Sequence, residues 1–276
     1  MTTYSESRGK LMNTYKKVAL LCDFGLDDAI AMLYMLKHAQ KYDKIDIVPV
    51  GGNFPLAQTF VNAKRLLTNV QNTPDNVRII DTKGVEQSEE NIPNIHGNDG
   101  MGDVLPSEYR DDFKVISYNA WLDELDESYV IVSLGPCSVT LDILRKKGAL
   151  PLIIMGGNIA EPPNYNGYEF NHGMDVKAFA ECVKYPHAVA TLDTCHVDLC
   201  NLNLLTINED ALFSKLLLRY RKMSQSRGET ICSVYDMVTI VYLIHPERFE
   251  VVLMKDKDEN ELSVLKYVGN MPIFAE

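Results

Sequence analysis

Several features that would assign a chain of 276 residues to a particular class of protein are missing from this sequence. No apolar run approaches the roughly 20 residues that a membrane-spanning helix needs. The first seventeen residues are polar and lack the apolar core of a secretion signal. The six cysteines have neither the spacing of a zinc site nor a pattern that indicates disulfide pairing. Together these absences predict a cytoplasmic protein whose cysteines are reduced and mostly buried.

The balance of charge excludes further classes of partner. The chain carries 27 lysines and arginines against 38 aspartates and glutamates, which gives a net charge of −11. A general nucleic-acid binder, or a protein of anionic membrane surfaces, needs charge of the opposite sign. We therefore predict neither a nucleic-acid partner nor a membrane partner.

What the sequence does contain is a repeated alternation of strand and helix patterns. Short, continuous apolar runs bounded by turn residues are typical of strands buried on both faces. Such runs lie at 18–22, 45–50, 77–80, 129–134, 152–155 and 187–193. Segments with helical spacing lie between them, at 116–125 and 209–227 among others. Two further short β-like runs follow, at 250–254 and 262–268. No linker or long repeat divides the series. We predict one α/β domain over residues 1–276, an open, mostly parallel sheet with helices on both faces, preceded by a flexible leader at 1–16.

The first strand ends in a concentration of carboxylates. Asp23, Asp27 and Asp28 lie within six residues, at the carboxyl end of the strand and the start of a helix. Ligands bind at that edge of open α/β sheets. Because no lysine or arginine occurs between Lys17 and Lys37, a hard cation, calcium or magnesium, is the natural partner for these oxygens. On spacing alone, an ordinary helix cap with a solvated Asp23 explains the pattern equally well.

The segment Asp23-Phe-Gly-Leu-Asp-Asp28 resembles the amino-terminal signature of the inosine–uridine-type nucleoside hydrolases, Asp-x-Asp-Pro-Gly-x-Asp-Asp. Two positions depart from the signature, because the family's first aspartate is Leu21 here and its proline is Phe24. Later segments continue the resemblance in family order over nearly the whole chain: Gly51-Gly-Asn53, the loop His96-Gly-Asn-Asp-Gly100, Leu134-Gly-Pro136, Met155-Gly-Gly157, Tyr168-Glu-Phe-Asn171, and Tyr235-Asp236 before an apolar helix.

The resemblance implies a calcium-dependent enzyme that hydrolyses the N-glycosidic bond of ribonucleosides to ribose and free base, with a calcium-bound water as nucleophile. It also implies a small-molecule nucleoside partner and a homodimer or homotetramer. The implied calcium ligands are the side chains of Asp23, Asp28 and Asp236 and the carbonyl of Leu134, and Asp23 is also the implied base. The residues implied to contact the nucleoside are Asp27, Asn53, Met155, Asn164, Glu169, Phe170 and Asn171, with Asn164 standing in for a family asparagine whose aligned position is Pro163.

One pair among these residues can also be interpreted from its spacing. A carboxylate and an amide two residues apart in extended backbone project to the same side, so Glu169 and Asn171 could hold neighbouring hydroxyls. A capped helix start is the alternative explanation of the same residues.

The sequence leaves open which group protonates the departing base. Tyr235 stands where many members of the family carry the histidine thought to do this, and a phenol with a pKa of about 10 is a weak donor at neutral pH. Either Tyr235 donates anyway, or His96 substitutes from its glycine-rich loop, or the protein hydrolyses poorly. The last outcome gives a nucleoside- or ribose-binding homologue of the same fold as the alternative function.

Two other readings are weaker. An aspartate cluster at a strand end also suits a magnesium-dependent hydrolase of a phosphorylated substrate, but no Gly-x-x-x-x-Gly-Lys loop or basic cluster accompanies these aspartates. Cys195 and His196 are adjacent, yet a catalytic Cys–His pair needs proximity in space, which adjacency in sequence does not predict.

Overall fold

The computed structural model describes residues 15–204, 207 and 211–273, apart from the side chains of residues 93 and 94. Residues 1–14 of the predicted leader therefore lie outside the described residues. Tyr15 is buried in the hydrophobic core. The carbonyl of Lys16 accepts hydrogen bonds from the backbone N–H groups of Asp43 and Lys44.

Within the described residues, nine strands form one sheet in the order β4-β3-β2-β1-β5-β6-β7-β9-β8. The strands are β1 (Lys17–Cys22), β2 (Lys44–Pro49), β3 (Val77–Asp81), β4 (Val115–Ser117), β5 (Tyr129–Ser133), β6 (Leu152–Met155), β7 (His187–Ala190), β8 (Phe249–Lys255) and β9 (Glu261–Tyr267). Every neighbouring pair is parallel except β8 and β9. The strand order reverses between β1 and β5, which makes the crevice at their carboxyl ends the topological switch point of the sheet.

Helices pack on both faces of the sheet because successive side chains of a strand point to opposite sides. On β1, Val18, Leu20 and Cys22 join one core cluster, whereas Ala19 and Leu21 join the other. The first cluster lies under the helices Leu26–Lys37, Leu56–Asn69, Leu212–Ser226 and Tyr235–Ile244, and the second lies under Tyr118–Glu124, Ser138–Lys147 and Val176–Cys182. Short helices Pro93–His96, Phe170–Met174 and Leu192–Cys195 complete the set of α-helices in the described part of the chain.

The predicted fold class is confirmed, but the boundaries of two predicted elements are wrong. Ile116 lies in the edge strand β4 and pairs with β3, so the helix predicted at 116–125 begins only at Tyr118. The strand predicted at 187–193 ends at Ala190, because Thr191 caps a short helix by accepting a hydrogen bond from Thr194 N at 3.3 Å. The helix predicted at 209–227 is observed at Leu212–Ser226, and residues 209 and 210 lie outside the described residues.

The sequence also led us to expect reduced, buried cysteines and no membrane-spanning helix. All six cysteines are buried free thiols, as predicted. Among the described residues, every helix is too short or too polar to span a lipid bilayer.

Candidate active site

Eleven of the thirteen predicted site residues line a single cavity of about 280 Å³ at the carboxyl edge of the sheet. They are Asp27, Asn53, His96, Leu134, Met155, Asn164, Glu169, Phe170, Asn171, Tyr235 and Asp236. The other two, Asp23 and Asp28, are 1% and 0% exposed. The strands thus bring together residues that are more than 200 positions apart in the chain, as the carboxyl-edge rule for parallel sheets predicts.

The loop after β1 has an uncommon backbone conformation. Phe24 is buried and has a φ of +44°, in the left-handed region that L-residues rarely adopt. Proline, which the family signature carries at this position, is restricted to a φ near −65° and cannot take this conformation. A Cβ on the next residue, Gly25, would lie 2.7 Å from both Asn53 Nδ2 and His96 Cε1. Glycine at position 25 therefore allows Asn53 and His96 to converge on this loop.

Asp23 is buried, and Asn53 donates two hydrogen bonds to its carboxylate. The backbone N–H of Asn53 donates to Asp23 Oδ2 at 2.8 Å, and its side-chain Nδ2 donates to Oδ1 at 3.0 Å. A Cβ on Gly52 would lie 2.1 Å from Asp23 Oδ2, so only glycine permits this close approach. Burial raises the pKa of Asp23 to about 7, although the hydrogen bonds from Asn53 oppose the rise. A carboxyl with such a pKa can accept and release a proton at neutral pH.

Three carboxylates form a buried acidic cluster at the start of helices Leu26–Lys37 and Tyr235–Ile244. Asp27, Asp28 and Asp236 each place a ligand atom within 4.8 Å of the others. Asp28 Oδ2 accepts the Gly25 N–H at 2.8 Å, whereas Asp28 Oδ1 and Asp27 Oδ1 are buried without a hydrogen-bond partner among the described residues. Burial, reinforced by repulsion between the carboxylates, raises the pKa of Asp28 and of Asp236.

Buried carboxylate oxygens without partners are costly unless a cation joins them, so this arrangement fits a hard divalent metal ion. The composition of the cluster differs in one member from the predicted ligand set. The three carboxylates whose ligand atoms lie within 4.8 Å of one another are those of Asp27, Asp28 and Asp236, and Asp23 lies outside that group. Asp23 nevertheless raises the pKa of Asp28 through its charge and a shared hydrogen bond, so it lies next to the cluster.

The carbonyl of Leu134, which follows β5, contacts a residue proposed to bind the substrate, Asn171. Asn171 Nδ2 donates to Leu134 O at 2.7 Å and to Met155 O at 3.2 Å. A carbonyl oxygen has two lone pairs, so the Leu134 oxygen can accept this hydrogen bond and still bind a cation.

Glu169 has extended backbone (φ −67°, ψ 153°), but Asn171 lies in a helix, so the prediction that both residues lie in extended backbone is wrong. Phe170–Met174 is a short helix that Glu169 caps with its side chain. Its carboxylate accepts hydrogen bonds from the backbone N–H groups of Gly157, Asn171 and His172 at 2.8, 3.0 and 3.1 Å. Burial raises the pKa of Glu169 to about 7 against the effect of these donors. A carboxylate has about four acceptor positions, so one remains for a ligand hydroxyl.

His96 has a defined orientation at the cavity wall. The backbone N–H of Leu26 donates to His96 Nδ1 at 3.1 Å, and Asp27 Oδ1 lies 3.5 Å from the same nitrogen. Because Nδ1 is the acceptor, the neutral ring carries its proton on Nε2. Burial lowers the pKa of His96, which keeps the ring neutral at physiological pH. His96 is consequently a hydrogen-bond donor through Nε2 and a poor source of a transferable proton.

Tyr235 belongs to a hydrogen-bonded chain with two residues that the sequence did not reveal. Its hydroxyl lies 2.9 Å from His196 Nε2, and His196 Nδ1 lies 2.8 Å from Glu161 Oε2. Burial raises the pKa of Tyr235 well above its ordinary value, so the phenol is protonated. His196 follows β7, whose carboxyl end meets the same edge of the sheet, and that position was the available signal. Its neighbour Cys195 is buried and takes no part in this contact.

The carboxyl end of helix Leu212–Ser226 supplies further cavity residues that the sequence pattern missed. Tyr220, Arg227 and Glu229 line the cavity. Arg227 donates to Glu229 through Nε at 2.8 Å and Nη2 at 3.0 Å, while its buried Nη1 has no hydrogen-bond partner in the described part of the chain.

Fold and site together define an α/β protein with a buried cluster of carboxylates beside a cavity at the carboxyl edge of its sheet. Residues 18–267 match the family described as inosine-uridine preferring nucleoside hydrolase. The chain belongs to this metal-dependent family, which places it among the ribonucleoside hydrolases.

Individual relatives agree with this assignment. The pyrimidine-specific ribonucleoside hydrolase RihB of Escherichia coli O9:H4 (strain HS) is 26% identical over 253 residues, which cover 84% of this chain and 79% of the relative. The purine-preferring ribonucleoside hydrolase of Gardnerella vaginalis superimposes with a TM-score of 0.67 at 19% identity, covering 92% of this chain and 93% of the other. The inosine-uridine preferring nucleoside hydrolase of Bacillus anthracis has a TM-score of 0.63 at 12% identity, with 93% and 91% covered. At these identities the two structures demonstrate a shared fold.

Proposed function

We propose that this protein hydrolyses the N-glycosidic bond of ribonucleosides to ribose and free base, in the cavity between the acidic cluster and Tyr235, with calcium as its metal ion. The observation that carries the proposal is the buried group of Asp27, Asp28 and Asp236, whose ligand atoms lie within 4.8 Å of one another. Two of these three aspartates also line the cavity. A cytoplasmic location and a homodimeric or homotetrameric assembly stay predictions.

The proposed calcium ligands are Asp23, Asp28, Asp236 and the Leu134 carbonyl. All are oxygen donors, which calcium prefers, and its coordination number of six to eight leaves positions for water and substrate. Asp27 competes with Asp23 for one position, since its ligand atom converges with those of Asp28 and Asp236. We assign Asp23 from the family resemblance and from its hydrogen bond with Asp28. When bound, the ion would lower the pKa of a water molecule modestly and hold two sugar hydroxyls.

Asp23 is the proposed general base that accepts the proton of the attacking water. Its position suits this task, because Asp23 lies beside the carboxylates that would hold the ion and its water. Asn53 holds both carboxylate oxygens through its backbone and side-chain N–H groups, and so fixes the orientation of the base.

The remaining polar residues of the cavity are proposed to bind ribose. Asp27 would accept a hydrogen bond from the 2′-hydroxyl, and Asn53, Glu169 and Asn171 would contact the other hydroxyls. The sugar develops positive charge as the glycosidic bond breaks, and surrounding carboxylates stabilise that charge. Contacts to the rest of the nucleoside are assigned to Met155, Asn164 and Phe170, which line the same cavity.

The phosphohydrolase alternative finds little support in the charges of the cavity. Arg227 is the one lysine or arginine among the described cavity residues, and Glu229 holds it with two hydrogen bonds. A phosphorylated substrate needs uncompensated positive charge or a metal ion with fewer surrounding carboxylates.

Incubation of the purified protein with each common ribonucleoside, with and without a chelator, tests the proposal through the free ribose released. We expect ribose release that the chelator abolishes and added calcium restores. Tight binding of ribose without any cleavage would support the nucleoside-binding alternative, and release that is insensitive to the chelator would contradict the metal assignment.

A further inference from the structure

Glu161, His196 and Tyr235 form a continuous hydrogen-bonded chain. His196 lies between the other two, with Nδ1 2.8 Å from Glu161 Oε2 and Nε2 2.9 Å from the Tyr235 hydroxyl. An ionised carboxylate only accepts hydrogen bonds, so Nδ1 must carry a proton. The imidazole is thereby oriented with Nε2 towards the phenol, in the way that a carboxylate orients a catalytic histidine.

The chain leads from the cavity towards solvent. Tyr235 lines the cavity beside Asp236, whereas His196 and Glu161 do not. The side chains of His196 and Glu161 are 19% and 35% exposed. A proton lost at the buried end of the chain can therefore be replaced from water at the other end.

We propose that Glu161, His196 and Tyr235 form a proton relay that protonates the base as it leaves; this inference rests on the proposed hydrolase function. With a proton on both nitrogens, His196 donates through Nε2 to the Tyr235 oxygen, which leaves the phenolic O–H directed to the base. As the C1′–N bond breaks, its electron pair goes to the base, whose ring nitrogen takes the Tyr235 proton. The Tyr235 oxygen takes the Nε2 proton in turn, and the oxygen of the attacking water bonds to C1′.

In this account Tyr235 is the catalytic residue, while His196 and Glu161 are positioning residues that act through it. The relay corresponds to the first of the three outcomes that the sequence left open, in which Tyr235 donates the proton. His96 already accepts the Leu26 N–H at Nδ1 and is held neutral by burial, so it does not compete as the donor.

The test compares natural nucleosides with p-nitrophenyl riboside, whose leaving group needs no proton. General acid catalysis contributes about 10²–10⁴-fold, so Tyr235→Phe and His196→Gln should each lower kcat on nucleosides by about 10²-fold or more relative to the nitrophenyl substrate. The double variant should be no worse than Tyr235→Phe alone, because both changes remove one relay. Glu161→Gln, which keeps the shape of the side chain, should have the same selectivity with a smaller loss.

His245→Gln is the matched control. His245 also pairs with a glutamate, Glu247, at 3.1 Å, and its side chain is 18% exposed, but it lies at the other end of helix Tyr235–Ile244. This variant should not change the ratio of the two substrates.

Equal losses on both substrates in His196→Gln and Glu161→Gln would mean a structural role and would overturn the relay while leaving the hydrolase function intact. Unchanged nucleoside turnover in these variants would overturn it as well. Failure of the wild-type protein to cleave either substrate would instead remove the proposed function, and the relay with it.

Discussion

One buried aspartate lies in the middle of β2, and a group of buried aspartates lies at the carboxyl edge of the sheet. The negative charge is neutralised by neighbouring residues at the first position and not at the second. Asp46, in the middle of β2, is fully buried and receives four hydrogen bonds. Arg78 donates through Nε at 2.7 Å and Nη2 at 2.9 Å, Trp121 through Nε1 at 2.7 Å, and Tyr129 through its hydroxyl at 2.8 Å. At the carboxyl edge, Asp28 is equally buried, but it receives one backbone N–H, from Gly25, and its charged neighbours are other carboxyl groups.

The difference shows what each arrangement is for. Asp46 carries its counter-ion within the chain, so its network ties β2, β3 and β5 to helix Tyr118–Glu124 and needs nothing further. The edge cluster has no lysine or arginine within hydrogen-bonding distance among the described residues, which is unstable unless a cation is supplied from outside. We expect the first site to contribute to folding and the second site to gain stability when a cation binds.

The largest expected contrast between the two sites is in activity. Asp28→Asn removes a charge from the proposed metal site and should lower ribose release by about 10³-fold. Asp46→Asn is remote from the cavity and should leave turnover per folded molecule unchanged. Initial rates, normalised to the folded fraction measured by circular dichroism, give the comparison. Equal activity in the two variants would contradict the division of roles.

A second contrast, of opposite sign, concerns stability in the presence of a chelator. Asp46→Asn breaks a buried ion pair and should lower the free energy of unfolding by about 3–5 kcal/mol. Asp28→Asn replaces a repelling carboxylate by an amide that can donate to its acidic neighbours, and should raise this free energy by about 1 kcal/mol. Denaturant titration measures both values. Destabilisation by Asp28→Asn in the absence of metal would show that the cluster is not under electrostatic strain.

The smallest effect is the pH dependence of the metal-free protein. Asp23 and Glu169 have a pKa of about 7 in the folded chain, above their ordinary values near 4, so the folded state holds these protons more tightly. Their contribution to stability is therefore complete at low pH and is lost as the pH rises through 7. Between pH 6.5 and 8 the free energy of unfolding should fall by about 1–2 kcal/mol in chelator.

The buried His96 and His172 act in the opposite direction, because burial lowers their pKa values, to about 4 for His172, while the unfolded chain still binds protons at its histidines near pH 6.5. Their effect is largest at the lower end of the window and reduces the net fall to about 1 kcal/mol. Saturating calcium should remove the decline, because a bound cation favours the ionised carboxylates. Stability that stays level or rises over the same window without metal would count against the raised pKa values.

Much of the fold could be predicted from the sequence because its strands are short, continuous and apolar, a pattern that only burial on both faces explains. The same regularity located Asp23, which follows such a strand. Asn53, Leu134 and Met155 were assigned to the site from the resemblance to the nucleoside hydrolases. The pattern failed at β4, an edge strand of three residues with little burial, and at Thr191, where a side-chain cap ends a strand early.

The cavity residues that were not predicted from the sequence were missed for physical reasons. Glu161 and His196 meet through a side-chain contact between two loops, and no periodicity in the sequence records which loops meet. Arg227 and Glu229 are close in sequence, but no pattern indicated that their segment lines the cavity. The helical conformation of Asn171 was mispredicted because the helix Phe170–Met174 has only five residues and begins at the Glu169 cap, whose carboxylate is also held by the backbone N–H of Gly157. The choice between Asp23 and Asp27 as metal ligand is likewise a matter of a few ångströms, which residue spacing cannot resolve.

Calcium titration by isothermal calorimetry tests the central claim most directly. Chelator-treated wild-type protein, Asp28→Asn and Asp46→Asn would be titrated side by side at the same pH. We expect one calcium ion per chain in the wild type and in Asp46→Asn, with binding lost in Asp28→Asn. No heat of binding in the wild type, or equal binding by all three proteins, would contradict the assignment of the edge cluster as the metal site.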